Sequence, residues 1–313
     1  MKFVGLIFLF ALAACGSGGT AGAPPADPPQ TWSVTTGGSQ SAQAIQALDF
    51  YPDTITIHSG DTVTWSNTTS IPHTVSIPQA GQTPPPGPPN PAQVGGNVFD
   101  NSAYISSGFI TNGKTYSVRF TKPGTYAYYC IVHPPEMTGT IVVVPAGAPL
   151  PMSAAQYAAA ASADLAVDLQ AGVDSIQLFP YTAGGTHLAA GIAPGLPASK
   201  PSQSTVMRFL DATNMTSNNV TIPAGTTITW TNESNNVPHT VTFPVAGQQP
   251  PAGSPDQVPP SGGSTYDGTV LTNSGAMPPG KSYSLTFTAP GTFTYYCLFH
   301  DGPTGMIGTV TVQ

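Results

Sequence analysis

The sequence predicts an all-β protein made of two tandem β-sandwiches with Greek-key connections, and three observations predict it. The chain repeats itself: ITIHSGDTVTWSNTTSIPHTVSIPQAG from Ile55 returns as VTIPAGTTITWTNESNNVPHTVTFPVAG from Val220, and GKTYSVRFTKPGTYAYYC from Gly113 returns as GKSYSLTFTAPGTFTYYC from Gly280. Trp65, His73 and Cys130 recur as Trp230, His239 and Cys297 at nearly constant separations, the mark of a duplicated domain. Within each copy, short stretches such as Thr54-Ile55-Thr56-Ile57 and Val63-Thr64-Trp65 alternate with period two between Gly-containing turns, which is the pattern of half-buried antiparallel strands.

Composition agrees. Only 7% of the 313 residues are charged, against 34 Gly and 35 Pro, which suits short strands joined by many turns and not a helical bundle. A net charge of -7 with seven Lys and Arg in total excludes a nucleic-acid partner, which needs basic patches to displace counterions.

Taken in order, MKFVGLIFLFALAACGSGG combines one Lys, an apolar run and a small-residue stop. It reads as a secretory signal, too short to span a bilayer. Leu12-Ala13-Ala14-Cys15 resembles the lipobox of bacterial lipoproteins, followed by a Gly/Ser/Ala/Pro tether. The resemblance implies a signal peptide over 1–14, a lipid on Cys15, a flexible tether over 15–29, and an exported body held on a bacterial membrane facing the periplasm or the cell exterior.

The first sandwich is expected over 30–146 and the second over 185–313, starting near Thr186, where THLAAG mirrors the TWSVTT of the first copy. Pro-Gly turns at Pro123-Gly124 and Pro290-Gly291 precede the strands that place Tyr126, Tyr128 and Cys130, two apart, on one face. The segments PQAGQTPPPGPPNPAQVGG and PVAGQQPPAGSPDQVPPSGG hold too much Pro for central strands and read as surface loops, inert or partner-docking. Between the copies, a linker over 147–184 contains Ser153 to Gly172, alanine-rich and free of Pro, which reads as one helix with Ser153 as N-cap, acting as a spacer or as interdomain packing.

Each copy ends in the same set of donors: His73, Cys130, His133 and Met137 in the first, His239, Cys297, His300 and Met306 in the second. One thiolate and two imidazoles with a weak thioether describe a blue-copper site, since thiolate and thioether favour Cu(I) and imidazole accepts either oxidation state. A hard cation would want oxygen ligands instead.

The segments Ile71-Pro72-His73-Thr74-Val75 and Val237-Pro238-His239-Thr240-Val241, continued as P-G-T-[YF]-x-Y-Y-C-x-x-H and M-x-G-T-[IV]-x-V, resemble the cupredoxins, most closely their plastocyanin and pseudoazurin branch. The resemblance implies two cupredoxin-like sandwiches, each with one type-1 copper cycling between Cu(I) and Cu(II), an electron carrier rather than an enzyme, and redox proteins as partners. It also implies a partly exposed second histidine as electron exit, and backbone N–H groups of Thr74 and Thr240 aimed at the thiolates. Docking around Ile131, Val132, Pro134, Leu298 and Phe299 is expected to be mainly apolar. The His-to-Met spacing differs between the copies, which predicts unequal reduction potentials. Glu136 is a minor alternative to Met137 as axial ligand.

Rival readings use the same residues less completely. A Cys130–Cys297 disulfide explains two cysteines but not their recurring histidines. Structural zinc sites ignore Met, and a Cys/His nucleophile needs a base and an oxyanion hole. A multicopper oxidase needs more histidines than His58 and His187, which read as surface residues, while Trp65 and Trp230 read as core. Copper buffering, delivery or sensing at the cell surface uses the same ligands and stays open beside electron transfer.

Overall fold

The computed structural model describes residues 28–40, 45–85, 91–133, 137–178, 186–192, 204–211, 219–234, 237–251, 259–300 and 305–313. The first half runs β1 (Thr31–Gln40), β2 (Ile45–Tyr51), β3 (Thr54–His58), β4 (Thr62–Ser66), β5 (Ser76–Ile77), β6 (Gln93–Val94), β7 (Val98–Phe99), β8 (Ile105–Ser107), β9 (Thr115–Phe120), β10 (Gly124–Tyr129) and β11 (Thr138–Val144). Helix α1 (Ala154–Leu178) follows. The second half runs β12 (His187–Ile192), β13 (Ser204–Asp211), β14 (Asn219–Ile222), β15 (Thr227–Glu233), β16 (Thr242–Phe243), β17 (Thr265–Tyr266), β18 (Thr272–Asn273), β19 (Ser282–Phe287), β20 (Gly291–Tyr296) and β21 (Ile307–Val312).

Alternation makes the two layers. In β4, β9 and β11 every second residue is buried, so each strand turns one face inward. Val63 and Trp65 on β4, Val118 and Phe120 on β9, Tyr126 and Tyr128 on β10, and Ile141 and Val143 on β11 meet in one core. The second half repeats this with Ile228, Trp230, Leu285, Phe287, Phe293, Tyr295 and Val310. Both predicted tryptophans are fully buried.

The two sandwiches are not beads on a string. A ten-stranded sheet in the order β17-β19-β15-β12-β13-β2-β1-β4-β9-β7 runs through both, while a six-stranded and a five-stranded sheet complete one sandwich each. The seam is the antiparallel pair β2–β13, with Ala47 opposite Ser204, Gln46 opposite Thr205 and Ile45 opposite Val206. Ala47 and Val206 are equivalent positions, because each pairs with the residue just past a bulge, Gly38 after Gly37 and Ile192 after Gly191. The pairing is therefore related to itself by a local twofold centred on Gln46 and Thr205. Edge strands present unpaired N–H and C=O groups; here the two edges satisfy each other.

The interdomain segment is longer and more committed than a linker. Helix α1 continues past Gly172 to Leu178 and begins with a capping box in which the Gln156 amide donates to Ser153 Oγ (3.4 Å) and the Ser153 amide to Gln156 Oε1 (2.8 Å). Tyr157, Ala161, Leu165, Leu169 and Val173 recur every fourth residue and form one stripe. Tyr157 enters the first core, Ala161 and Leu165 cover Ala47 and Tyr51, and Leu169 and Val173 cover Ile45, Ala189, Ile192, Val206 and Leu210. This cover explains why all seven residues of β2 are buried: one face meets the sandwich core and the other meets the helix. Tyr51 donates to Asp168 of the helix, and burial pushes its phenol well above the usual range.

Two expectations need correction. Leu188 stands opposite Trp230 as Val34 stands opposite Trp65, so His187 takes the place of Ser33 and the mirrored segments lie one residue out of the frame their shared threonine suggested. His58 is not a surface residue but is buried, with Nε2 2.7 Å from the Ala148 carbonyl oxygen; His187 is half-buried against Thr231 Oγ1 at 3.1 Å.

Asp61 ties the start of the first sandwich together. Its buried carboxylate accepts from the amides of Gln30 (2.7 Å) and His58 (2.9 Å) and from the Trp32 indole (2.8 Å). Thr226 stands at the matching place in the second copy. Asp61→Ala strands these donors, so the transition of the first sandwich in a urea melt should lose about 3 kcal/mol, on the scale of unsatisfied buried groups; Thr226→Ala should change little.

Candidate metal centres

The first histidine of each copy is placed by a short backbone bridge. His73 donates to the Ile110 carbonyl (3.2 Å) and accepts from the Ile110 amide (2.7 Å), and His239 does the same with Met277 at 3.1 and 2.7 Å. Beneath each lies an asparagine that sequence reasoning passed over. Asn67 Nδ2 donates to the carbonyls of Ile71 (2.7 Å) and Ile110 (2.8 Å), and Asn232 Nδ2 donates to those of Val237 (2.8 Å) and Met277 (2.7 Å). The signal was present in the repeat, as W-S-N and W-T-N: a polar residue two past each core tryptophan, thus on the inward face, must bind something.

The cysteine follows its inward-facing strand directly. Cys130 and Cys297 are both buried and neither forms a disulfide, so the interdomain disulfide is overturned. His133 returns its amide to the Cys130 carbonyl (3.3 Å) and His300 to that of Cys297 (2.8 Å), a turn that brings each second histidine back over the sulfur. In the first centre the Cys130 Sγ lies 3.9 Å from His73 Nδ1 and 3.3 Å from His133 Nδ1. In the second, Cys297 Sγ lies 3.6 Å from His239 Nδ1 and 3.4 Å from His300 Nδ1, and the two Nδ1 atoms are 3.2 Å apart. Within each trio all donor atoms fall within 4.8 Å of one another. Among the described residues these are the two such groups.

The loops of unequal length rejoin the strand in the same register. Cys130 donates to the Met137 carbonyl (2.9 Å) and Cys297 to that of Met306 (3.1 Å). Both methionines are buried in the same core as their cysteine. Glu136 and Pro134 lie outside the described residues, as does Cys15. The Gly of each M-x-G-T motif has a steric reason: a β-carbon on Gly139 or Gly308 would run into the ring of Tyr128 or Tyr295, which packs under the cysteine.

The expected amide contact is present. Thr74 and Thr240 each point the backbone N–H at sulfur, 3.4 Å from Cys130 Sγ and from Cys297 Sγ. Their hydroxyls accept from the amides of Ile131 (2.9 Å) and Leu298 (2.8 Å), so one residue type clamps the histidine loop to the cysteine loop in both copies. The remote nitrogens differ. Thr69 and its counterpart Ser234 both turn their hydroxyls to the asparagine Oδ1 and to the carbonyl of Ile71 or Val237, but Thr69 Oγ1 also lies 3.5 Å from His73 Nε2, whereas among the described residues His239 Nε2 has no hydrogen bond.

Burial sets the electrostatics. It holds all four imidazoles neutral: His133 falls to about 4 and His239 to about 3, and His73 and His300 lie well below the usual histidine range. Burial pushes the Cys130 thiol up, opposed by the Thr74 amide. Neutral imidazole nitrogens and a sulfur therefore converge where at most a few hydrogens can satisfy them. A soft or borderline cation satisfies all three donors and makes thiolate the favoured form, so the residues present fit copper.

The metal-free protein should accordingly lose stability with acid. The histidines bind protons in the unfolded chain below about 6.5 and resist them in the folded one until about 4 or 3. Stability is fully present above pH 6.5 and falls as pH drops through that window, because the unfolded state then binds more protons. Urea midpoints of the metal-free protein between pH 7 and 4 check this, and His133→Gln should flatten the slope.

Known proteins carry the same pattern. The family described as copper binding proteins, plastocyanin/azurin family, matches residues 38–144 and again 204–313. Plastocyanin of Chlamydomonas reinhardtii is 34% identical over 98 residues, covering 31% of this chain and 59% of that protein, so the chain spans under two thirds of this relative's length. Amicyanin-alpha of Methylorubrum extorquens is 33% identical over 99 residues, 32% of this chain and 67% of that protein. A solved structure of reduced amicyanin is 26% identical and covers 36% of this chain and 82% of its own, with a TM-score of 0.25. With both halves matched and a His–Cys–His trio in each, the chain belongs to the plastocyanin/azurin family of copper-binding proteins, and its two trios match two type-1 copper sites.

Proposed function

We propose that the protein is an exported electron carrier with one type-1 copper in each sandwich, tethered to a bacterial membrane by a lipid on Cys15. The observation that carries the electron-transfer reading is the duplicated trio of one cysteine and two neutral histidines, buried except for the half-buried His133. Bound copper supplies a Cu(I)/Cu(II) couple. The chain supplies rigidity: the Asn67 and Asn232 braces, the Thr clamps and the backbone bridges hold the donors, so little rearrangement accompanies an electron. Met137 and Met306, buried beside the trios, are the proposed axial ligands. Copper buffering or delivery is the weaker reading, because storage gains from many thiolates and each centre has one.

The tether rests on the lipobox-like Leu12-Ala13-Ala14-Cys15; among the described residues no helix is long and apolar enough to cross a membrane. Redox proteins are the proposed partners, meeting the apolar rim of Ile131 and Val132, both half-buried. The two potentials should differ, with the second centre higher. With Nδ1 on copper, His73 Nε2 would carry the proton and donate toward Thr69 Oγ1 at 3.5 Å, which makes that imidazole the stronger donor and favours Cu(II); His239 lacks this contact.

Copper titration of the soluble body from Gly22 onward is the test. Two coppers per chain should bind with an intense visible thiolate-to-copper band that bleaches under mild reductant, and Cys130→Ser and Cys297→Ser should each remove one. Colourless binding would leave metal handling as the function. Redox titration of the two single-site variants should give unequal potentials, and identical values would remove that idea. Replacing either axial methionine, Met137→Leu or Met306→Leu, should raise the potential of its own centre and leave the other unchanged.

A further inference from the structure

Both first histidines lie against the strands that flank the seam. The seam strand β2 lies beside β1, whose bulge residue Gly37 (φ 69°) is so close to His73 that a β-carbon there would meet Nε2 and the Ala47 carbonyl. Its twin Gly191 (φ 76°) stands in the same relation to His239 Nε2. Bulge, seam and bulge thus form one hydrogen-bonded ladder with a first histidine against each end. The two first-histidine loops contribute to one apolar cluster on the seam strand β2. Ile71 and Val237, each two residues before its histidine, pack with Leu48 into one buried cluster.

The second trio is also the more enclosed. His300 and Leu298 are buried, at 9% and 8% exposure, whereas His133 and Ile131, in the same places in the first copy, are half-buried.

Resting on the copper reading above, we propose that the contact of Ile71 with Val237 and Leu48 is an electron route between the two centres, and that electrons enter the second centre through the first. One electron leaves Cu(I) in the first trio and reduces Cu(II) in the second; no bond is made or broken and no proton moves. Tunnelling falls steeply with gap width, and the dry cluster of Leu48, Ile71 and Val237 joins the two first-histidine loops beside the seam pair. The chain would then hold two electrons behind one port.

Two measurements on the copper-loaded protein test this. In the oxidised protein, the Cu(II) spins should broaden each other's resonance, and the broadening should vanish in Cys130→Ser and in Cys297→Ser; a spectrum equal to the sum of the single-site spectra would overturn the proposal. In stopped flow, reduced cytochrome c, a bulky cationic donor suited to a chain of net charge -7, should reduce Cys297→Ser rapidly and Cys130→Ser far more slowly. The intact protein should add a first-order phase independent of protein concentration. Equal rates for the two variants would show that the second centre has its own port and would overturn the proposal. The double variant Ile71→Ala with Val237→Ala should keep both visible bands and lose much of the first-order phase; an unchanged phase would exclude the seam. If the intact chain bound copper without colour, the electron-carrier reading itself would fail, an outcome distinct from a coloured protein without coupling.

Discussion

The pairing of β2 with β13 is the constraint on which the rest of the structure depends. A sandwich of this kind has open edges, and an edge strand as apolar as Ile45–Tyr51 would be a hazard if left bare. Pairing it with its own duplicate satisfies the backbone, and the repeat makes the register self-consistent: whatever fits Ile45 opposite Val206 also fits Ala47 opposite Ser204. Once the pair forms, its outer face is a single apolar strip crossing from one domain to the other. The alanine-rich helix, with an apolar residue at every fourth position from Tyr157 to Val173, is long enough to cover that strip. A segment that looked like a connection therefore packs one face against both domains.

The same pairing decides where the metal chemistry sits. The bulges at Gly37 and Gly191 exist because the strands beside the seam must yield to a histidine ring, and only glycine offers both the positive φ and the missing β-carbon. Packing the first histidine against the strands beside the seam leaves the cysteine loop free to vary. The spacer after His133 and that after His300 differ in length, yet both methionines return to the same backbone contact with their cysteine. The scaffold holds two or three donors fixed and allows the loop to change, so potential and exposure can diverge between the copies without loss of the fold.

Much of this was legible in the sequence, and the limits are physical. Period-two alternation and a long repeat announce two β-sandwiches, because burial on one face leaves its mark at every second position. The trios were legible because cysteine and histidine have few reasons to recur together. The seam was not, because a strand buried on both faces, such as IQALDFY, shows no alternation and resembles any apolar stretch. Nor was the environment of His58, since a buried histidine bonded to a carbonyl looks in sequence like an exposed one. Asn67 and Asn232 were hidden for a related reason: asparagine near a turn normally signals the turn itself, and only a fold shows that its amide spans two separate carbonyls.

Differences between the copies carry the remaining argument. The cysteines, histidines, threonine clamps and asparagine braces are duplicated, and among the many changes between the copies several lie one step out from the donors: Thr69 against Ser234 near the first histidine, Ile110 against Met277 across its bridge, and a His-to-Met spacer of different length. None of these touches a donor atom's identity, and each lies next to a residue that holds a donor. That is the level at which a copper potential is tuned while the coordination is kept. A duplicated centre serves little purpose with two equal potentials and one interior contact between them. With unequal potentials, the contact acquires a direction, and the seam that closes the fold becomes the part that separates two otherwise equivalent sites by function.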